Sequence, residues 1–191
     1  MHSIHHTEAF VVKSEPHGEA NRRLWLFTDA FGLVVATVQG VRKPGAKLAM
    51  HTSDYSFISA DLVKGKEVWW LTSASGITNP FIGRGTDERG RAFVRMLSVV
   101  DRFCQGEEAH SELFAHLCEG LHTLTAEELN ARSFDTLCVW KAMVLLGYGT
   151  VSESQRRLFE LPLLEAALRL DERERKVLIQ ETTAVIKESQ L

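Results

Sequence analysis

The side chains best placed for chemistry in this chain are cations rather than nucleophiles or metal ligands. Arg42, Lys43 and Lys47 sit in a Gly- and Pro-bearing stretch that follows a β-branched run, Arg22 and Arg23 lead into another apolar run, and Lys13 closes the first. Fixed guanidinium and ammonium groups on loops can track a phosphate backbone, and aromatic neighbours can stack bases. Trp25, Trp69 and Trp70 could supply that stacking. Neighbours in a strand point to opposite faces, so Trp69 and Trp70 cannot both belong to one core.

The other candidates carry less. Gly40–Gly45 and Gly85–Gly90 each have the two glycines of a phosphate-binding loop, but neither is followed by Lys and then Ser or Thr. The motif needs that pair to reach phosphates and Mg²⁺, so nucleotide hydrolysis is not expected. His110, His116 and His122 are six apart. On a helix each step turns about 240°, so the three cannot converge on a metal. They read as surface or hydrogen-bonded core histidines, and His2, His5 and His6 as a frayed terminus in preference to a stray metal site. Cys104, Cys118 and Cys138 are odd in number and lack a C-x-x-C pair. A disulfide framework and a four-cysteine zinc site are not expected, and a reducing, cytoplasmic setting fits. No catalytic set, metal or cofactor is expected.

Two kinds of element must hold the cations. Residues up to about 80 read as five short strands. Ala9–Val12, Leu24–Thr28 and Leu33–Val38 are apolar runs, Tyr55–Leu62 alternates apolar and polar, and Glu67–Thr72 completes the set. Gly-bearing turns between them predict a small barrel. Beyond, the period becomes helical. Helices are expected over Glu88–Phe103, Ser111–Leu124, Phe134–Leu146, Pro162–Leu170 and Asp171 to about Ser189, with a further short turn starting at the T-x-x-E of Thr125–Glu128. The chain thus reads as β followed by α in two domains, 1–80 and 84–191, divided near Asn79–Gly85.

Charge divides along the same line. The 191 residues carry a net −3, but residues 1–84 hold nine Lys and Arg against seven Asp and Glu, while 85–191 hold thirteen against eighteen. The halves are therefore expected to differ in task. No apolar run approaches the ~18 residues of a membrane span, and Met1–His6 lacks a signal-peptide core.

The order of segments resembles a known family. Glu8-Ala9-Phe10-Val11-Val12, Gly18-Glu19-Ala20-Asn21, Leu26-Phe27-Thr28 with Phe31-Gly32, Gly40-Val41-Arg42-Lys43 and Leu62–Thr72 are similar to the N-terminal barrel of RecO recombination mediators. Glu112–Leu117 and Phe134–Tyr148 look like segments of that family's helical domain. The resemblance implies an OB-fold barrel followed by a helical bundle. It also implies binding and annealing of single- and double-stranded DNA without enzymatic turnover. The implied partners are RecR and the acidic, apolar-tipped tail of single-stranded DNA-binding protein, with RecA loaded onto coated DNA. On the family's Gly-x-Arg stretch the DNA-binding role falls to Arg42 and Lys43. Lys47 joins them by proximity, and Arg22, Arg23 and Lys13 as further barrel cations. For the tail, Arg95, Arg102 and Lys141 are candidates because they lie on helices beside apolar faces. The chain is short for the family and lacks the four-cysteine zinc module of some members.

Overall fold

The structure, a computed structural model, describes residues 3–81 and 87–188. It therefore leaves out His2, the glycine pair's first member at Gly85, most of the expected domain boundary and Ser189. Five strands, β1 (Ile4–His17), β2 (Asn21–Thr28), β3 (Gly32–Val38), β4 (Phe57–Lys64) and β5 (Trp69–Thr78), close into a barrel in the order β1-β2-β3-β5-β4. Six α-helices follow among the described residues: α1 (Glu88–Phe103), α2 (Ser111–Thr123), α3 (Ala131–Leu145), α4 (Arg156–Glu160), α5 (Leu163–Arg169) and α6 (Glu172–Glu188). This is the strand number and order of an OB-fold followed by helices.

Alternation builds the barrel. Ala9 and Val11, Leu24 and Leu26, Val34 and Ala36, then Ile58, Ala60 and Leu62 step by two and all enter one core, with Trp69 and Leu71 from β5. β1 is much longer than the apolar run Ala9–Val12. Its first half pairs with β4 (Ile4↔Val63 to Phe10↔Phe57) and its second half with β2 (Ala9↔Thr28 to His17↔Asn21). A bulge between Val11 and Lys13 lets it turn from one neighbour to the other. Phe27, Phe10 and Phe57 lie side by side across β2, β1 and β4 and are buried on the other face.

The described residues fall into two compact units: one joins the barrel to Val100–Ser111, the other joins the rest of α1 to Glu112 and beyond. Within the first, Glu107 accepts from Lys64 Nζ at 2.5 Å and Trp69 Nε1 at 2.8 Å. Those two donors hold its carboxyl below the usual range. Gly32, at φ +66°, lies so close that a Cβ there would stand 1.9 Å from the carbonyl oxygen of Glu108.

In the second unit the helix ends follow local chemistry. Asp171 and Glu174 form a reciprocal capping box at the start of α6, Glu174 N–H donating to Asp171 Oδ1 and Asp171 N–H to Glu174 Oε2. The T-x-x-E at Thr125 starts no helix: Thr125 donates its hydroxyl to His122 carbonyl oxygen, and the segment is a turn. The cap is Asn130, whose Oδ1 accepts from the N–H groups of Arg132 and Ser133 and so starts α3 three residues before Phe134. Gly147, at φ +80°, ends α3. The linker between α4 and α5 is held from both sides. Lys141 Nζ donates to the Leu161 carbonyl at 2.7 Å, and Glu119 Oε1 accepts from the N–H of Leu163. Each charge thus faces the helix end its sign favours.

Candidate nucleic-acid interface

Antiparallel register puts the start of β2 beside the end of β3: Arg22 faces Val38 and Arg23 faces Thr37. The β1–β2 turn and the long segment from Gln39 to Ser56 leave from that same barrel end. Gly40, at φ +66°, donates its N–H to Asn21 Oδ1 at 2.9 Å. Arg42 donates its backbone N–H to Ala20 and its guanidinium to Gly18, both at 2.9 Å. Val41 is buried in the barrel core, and Leu48 and Ala49 pack against it further on. Successive tight turns run between these anchors, with Lys43 N–H donating to Gly40 and Ala46 N–H to Lys43.

The consequence is a row of cations standing between apolar feet. Arg42, Lys43 and Lys47 are exposed, while Val41 is buried and Leu48 half-buried. Arg23 is exposed near His17, and half-buried Arg22 donates to the Thr52 carbonyl at 3.3 Å. Five of the six expected barrel cations therefore gather at one end, tempered by Glu15 opposite Arg23 and by Glu19 in the turn. Lys13 stands apart. Its ammonium lies 4.3 Å from the centre of the Trp25 ring and 3.8 Å from Asp101 Oδ1.

The tryptophans divide as strand geometry requires. Trp69 is buried in the barrel core beside Phe31 and His5, with its N–H given to Glu107. Trp25 is half-buried under Lys13. Trp70 points the other way from Trp69 and is half-buried. It is in register with Thr37, which is in register with Arg23. Two strand spacings place Arg23 and Trp70 about 10 Å apart on the same outer face. No spacing in the sequence marks this pair, because the crossover between β3 and β5 creates it.

The helical candidates are placed differently from one another. Arg95 donates through Nε to Asp135 Oδ1 at 2.5 Å. Arg102 lies in the last turn of α1, its guanidinium 5.5 Å from the Phe103 ring centre. Lys141 is buried and spent on Leu161, and burial lowers its pKa. Its ammonium faces inward rather than edging a pocket. His116 is a hydrogen-bonded core histidine: its Nε2 lies 3.0 Å from the Cys138 carbonyl, and burial lowers its pKa. Cys104 and Cys138 are buried, and burial raises the Cys104 thiol to about 11. Among the described residues no group of three or more His, Cys, Asp or Glu could hold a metal ion, and no helix is long and apolar enough to cross a membrane.

Residues 1–81, the barrel, match the family described as Recombination protein O N terminal. Proteins named DNA repair protein RecO are similar over more of the chain. The Heliobacterium modesticaldum protein is 30% identical over 122 residues, 64% of this chain and 44% of its own length. The Clostridium novyi protein is 25% identical over 155 residues, 77% of this chain and 57% of its own length. The Nocardioides protein is 29% identical over 127 residues, covering 65% and 52%. The chain thus spans about half the length of the curated relatives it matches. Its N-terminal barrel thus matches the RecO family, and proteins named RecO carry the similarity on into the helices.

Proposed function

We propose that this chain is a DNA-binding recombination mediator that acts in DNA repair without covalent chemistry. The observation that carries the reading is the gathering of Arg22, Arg23, Arg42, Lys43 and Lys47 at one barrel end, the first two on β2 and the last three on a loop tied down at Val41 and Leu48. Cations fixed in this way neutralise phosphates and release counterions without touching base edges. Two strands held so repel each other less while their bases stay free to pair, which is annealing. In this reading residues 1–80 form the DNA-binding domain and 84–191 the partner-binding one. The partners are RecR and the acidic tail of single-stranded DNA-binding protein, and the outcome is RecA loading on coated single strands. The tail would meet the helical half at the 240 Å³ hollow edged by Arg91, Arg95 and Arg132, where it must compete with Asp135 for Arg95.

The test is fluorescence anisotropy of a labelled ~30-mer single strand across a salt series. Saturable binding is expected, with a log–log salt slope no steeper than about −3.5, the limit for five phosphate contacts on a single strand. No binding at low salt would replace this reading with that of an adaptor whose barrel does not bind DNA.

A further inference from the structure

At the opposite end of α3 from its Arg-edged hollow, the surface changes sign. A hollow of 360 Å³ opens between the last turns of α3 and α6. Trp140, Met143 and Val144 form one side, Ala184 and Val185 the other. The charged residues lining it are Glu181 and Glu188. A second hollow of 430 Å³ continues along α6 over Leu158, Val177 and Leu178, and shares Gln155 and Glu181 with the first. Asp171 and Glu174 line it, with Arg173. The two make one groove with an apolar floor.

Three features give the groove a negative flank. Glu174, Glu181 and Glu188 recur every seven residues, which sets carboxylates along one side of α6 about 10 Å apart, the first of them paired with Arg157 and the other two carrying the flank's charge. Glu181 is held in place by Gln155, whose Nε2 lies 2.9 Å from each carboxylate oxygen. The C-terminal turn of α3 borders the first hollow, and a helix C-terminus carries partial negative charge. The apolar side is uncovered as well. Of the described side chains of the 17-residue α6 only Leu178 and Thr182 are buried, and Val177 is 43% exposed.

We propose that this groove docks a cationic amphipathic segment of a partner protein, a helix with Lys or Arg seven residues apart and apolar side chains between. Charge complementarity selects that occupant: ammonium groups would meet the carboxylates while the apolar side chains fill the two hollows. An acidic segment is repelled from the same place. The site uses none of the barrel cations.

The test uses the full chain and a labelled 18-residue Leu-rich helical peptide with Lys at heptad spacing, read by anisotropy. Binding is expected to be saturable. It should weaken at least fivefold in Glu181→Gln/Glu188→Gln and in Ala184→Trp, which fills the hollow without changing charge. It should be unchanged in the distant control Glu127→Gln/Glu128→Gln. Equal affinity for the wild type and both groove variants would overturn the proposal, as would tighter binding of the same peptide with Glu in place of Lys. Sedimentation showing a self-dimer that Ala184→Trp dissolves would also overturn it, because a second copy would then be the occupant.

Discussion

Arg42 is tied by its own guanidinium to the carbonyl of Gly18, twenty-four residues earlier, at 2.9 Å. With the Arg42 backbone N–H on Ala20, this bond closes the cation loop onto the β1–β2 turn. Arg42 is therefore partly a brace, whereas the exposed side chains of Lys43 and Lys47 make no hydrogen bond or ion pair among the described residues.

The two roles separate by mutation. Lys43→Glu/Lys47→Glu should weaken single-strand binding several-fold and flatten the salt slope by about 1.4, with Tm unchanged within error. Arg42→Ala should also lower affinity and, in addition, raise the proteolysis rate of residues 39–56. Unchanged affinity and slope in the double lysine variant would remove the loop from the interface.

Trp70 and Arg23 share a lateral row with Thr37 between them. A base stacked on Trp70 could have its phosphate met by Arg23. Base–aromatic stacking is worth about 1–3 kcal/mol, so Trp70→Ala should reduce single-strand affinity roughly tenfold and duplex affinity far less. Titration with oligonucleotide should quench Trp70 fluorescence, and a Trp70→Phe protein should show little quenching, since Trp69 and Trp140 are buried and Trp25 is half-buried under Lys13.

Gly32 combines a positive φ with a neighbour that cannot move cheaply, the Glu108 backbone. Gly32→Ala must strain the turn and displace residues 107–108, at a cost of at least about 2 kcal/mol. A Tm drop of roughly 5–10 °C is expected from thermal melts. A drop under 1 °C would show that the segment is not seated against the β2–β3 turn.

His116 gives the fold an acid weakness. Its pKa is lowered in the folded state, by burial first. Between that lowered value and its ordinary 6.5 the unfolded chain takes up a proton that the folded chain refuses, so stability falls as pH drops below 6.5. Lys141 follows the same sign higher up. Its lowered pKa means that stability from this group rises as pH climbs toward 10.5. Urea midpoints from pH 7 to pH 5 should fall in the wild type and fall less in His116→Leu. Lys141→Ala should cost about 2–4 kcal/mol at pH 7, because it leaves a cavity and an unpaired Leu161 carbonyl, and Lys141→Met should cost less.

Local pattern carried most of the fold and little of the site's assembly. The two-residue step of Leu24, Leu26, Val34 and Ala36 announces strands, and Asp171 with Glu174 announces a helix start. β1 outruns Ala9–Val12 because His6, Glu8 and Glu15 are strand residues whose exposed, outward side chains can be polar. α4 has five residues and one buried side chain, Leu158, too little for a period to show. Lys141 looks like a surface cation on its helix, yet the carbonyl it satisfies lies twenty residues later in a linker whose path no periodicity records. The cations were legible one by one. Their convergence depends on the pairing of β2 with β3 and on Asn21 receiving Gly40, neither of which leaves a mark in spacing.

The barrel closes between β3 and β5 through Ala36↔Trp69 and Thr37↔Trp70, after which β5 runs on beside β4. This is its shortest seam, and β3 ends one residue beyond it, where the cation loop begins. A load that peels the loop away therefore acts first on β3, beside the seam with the fewest paired residues. Any grip that the loop has on a ligand and the barrel's resistance to opening are thus mechanically linked.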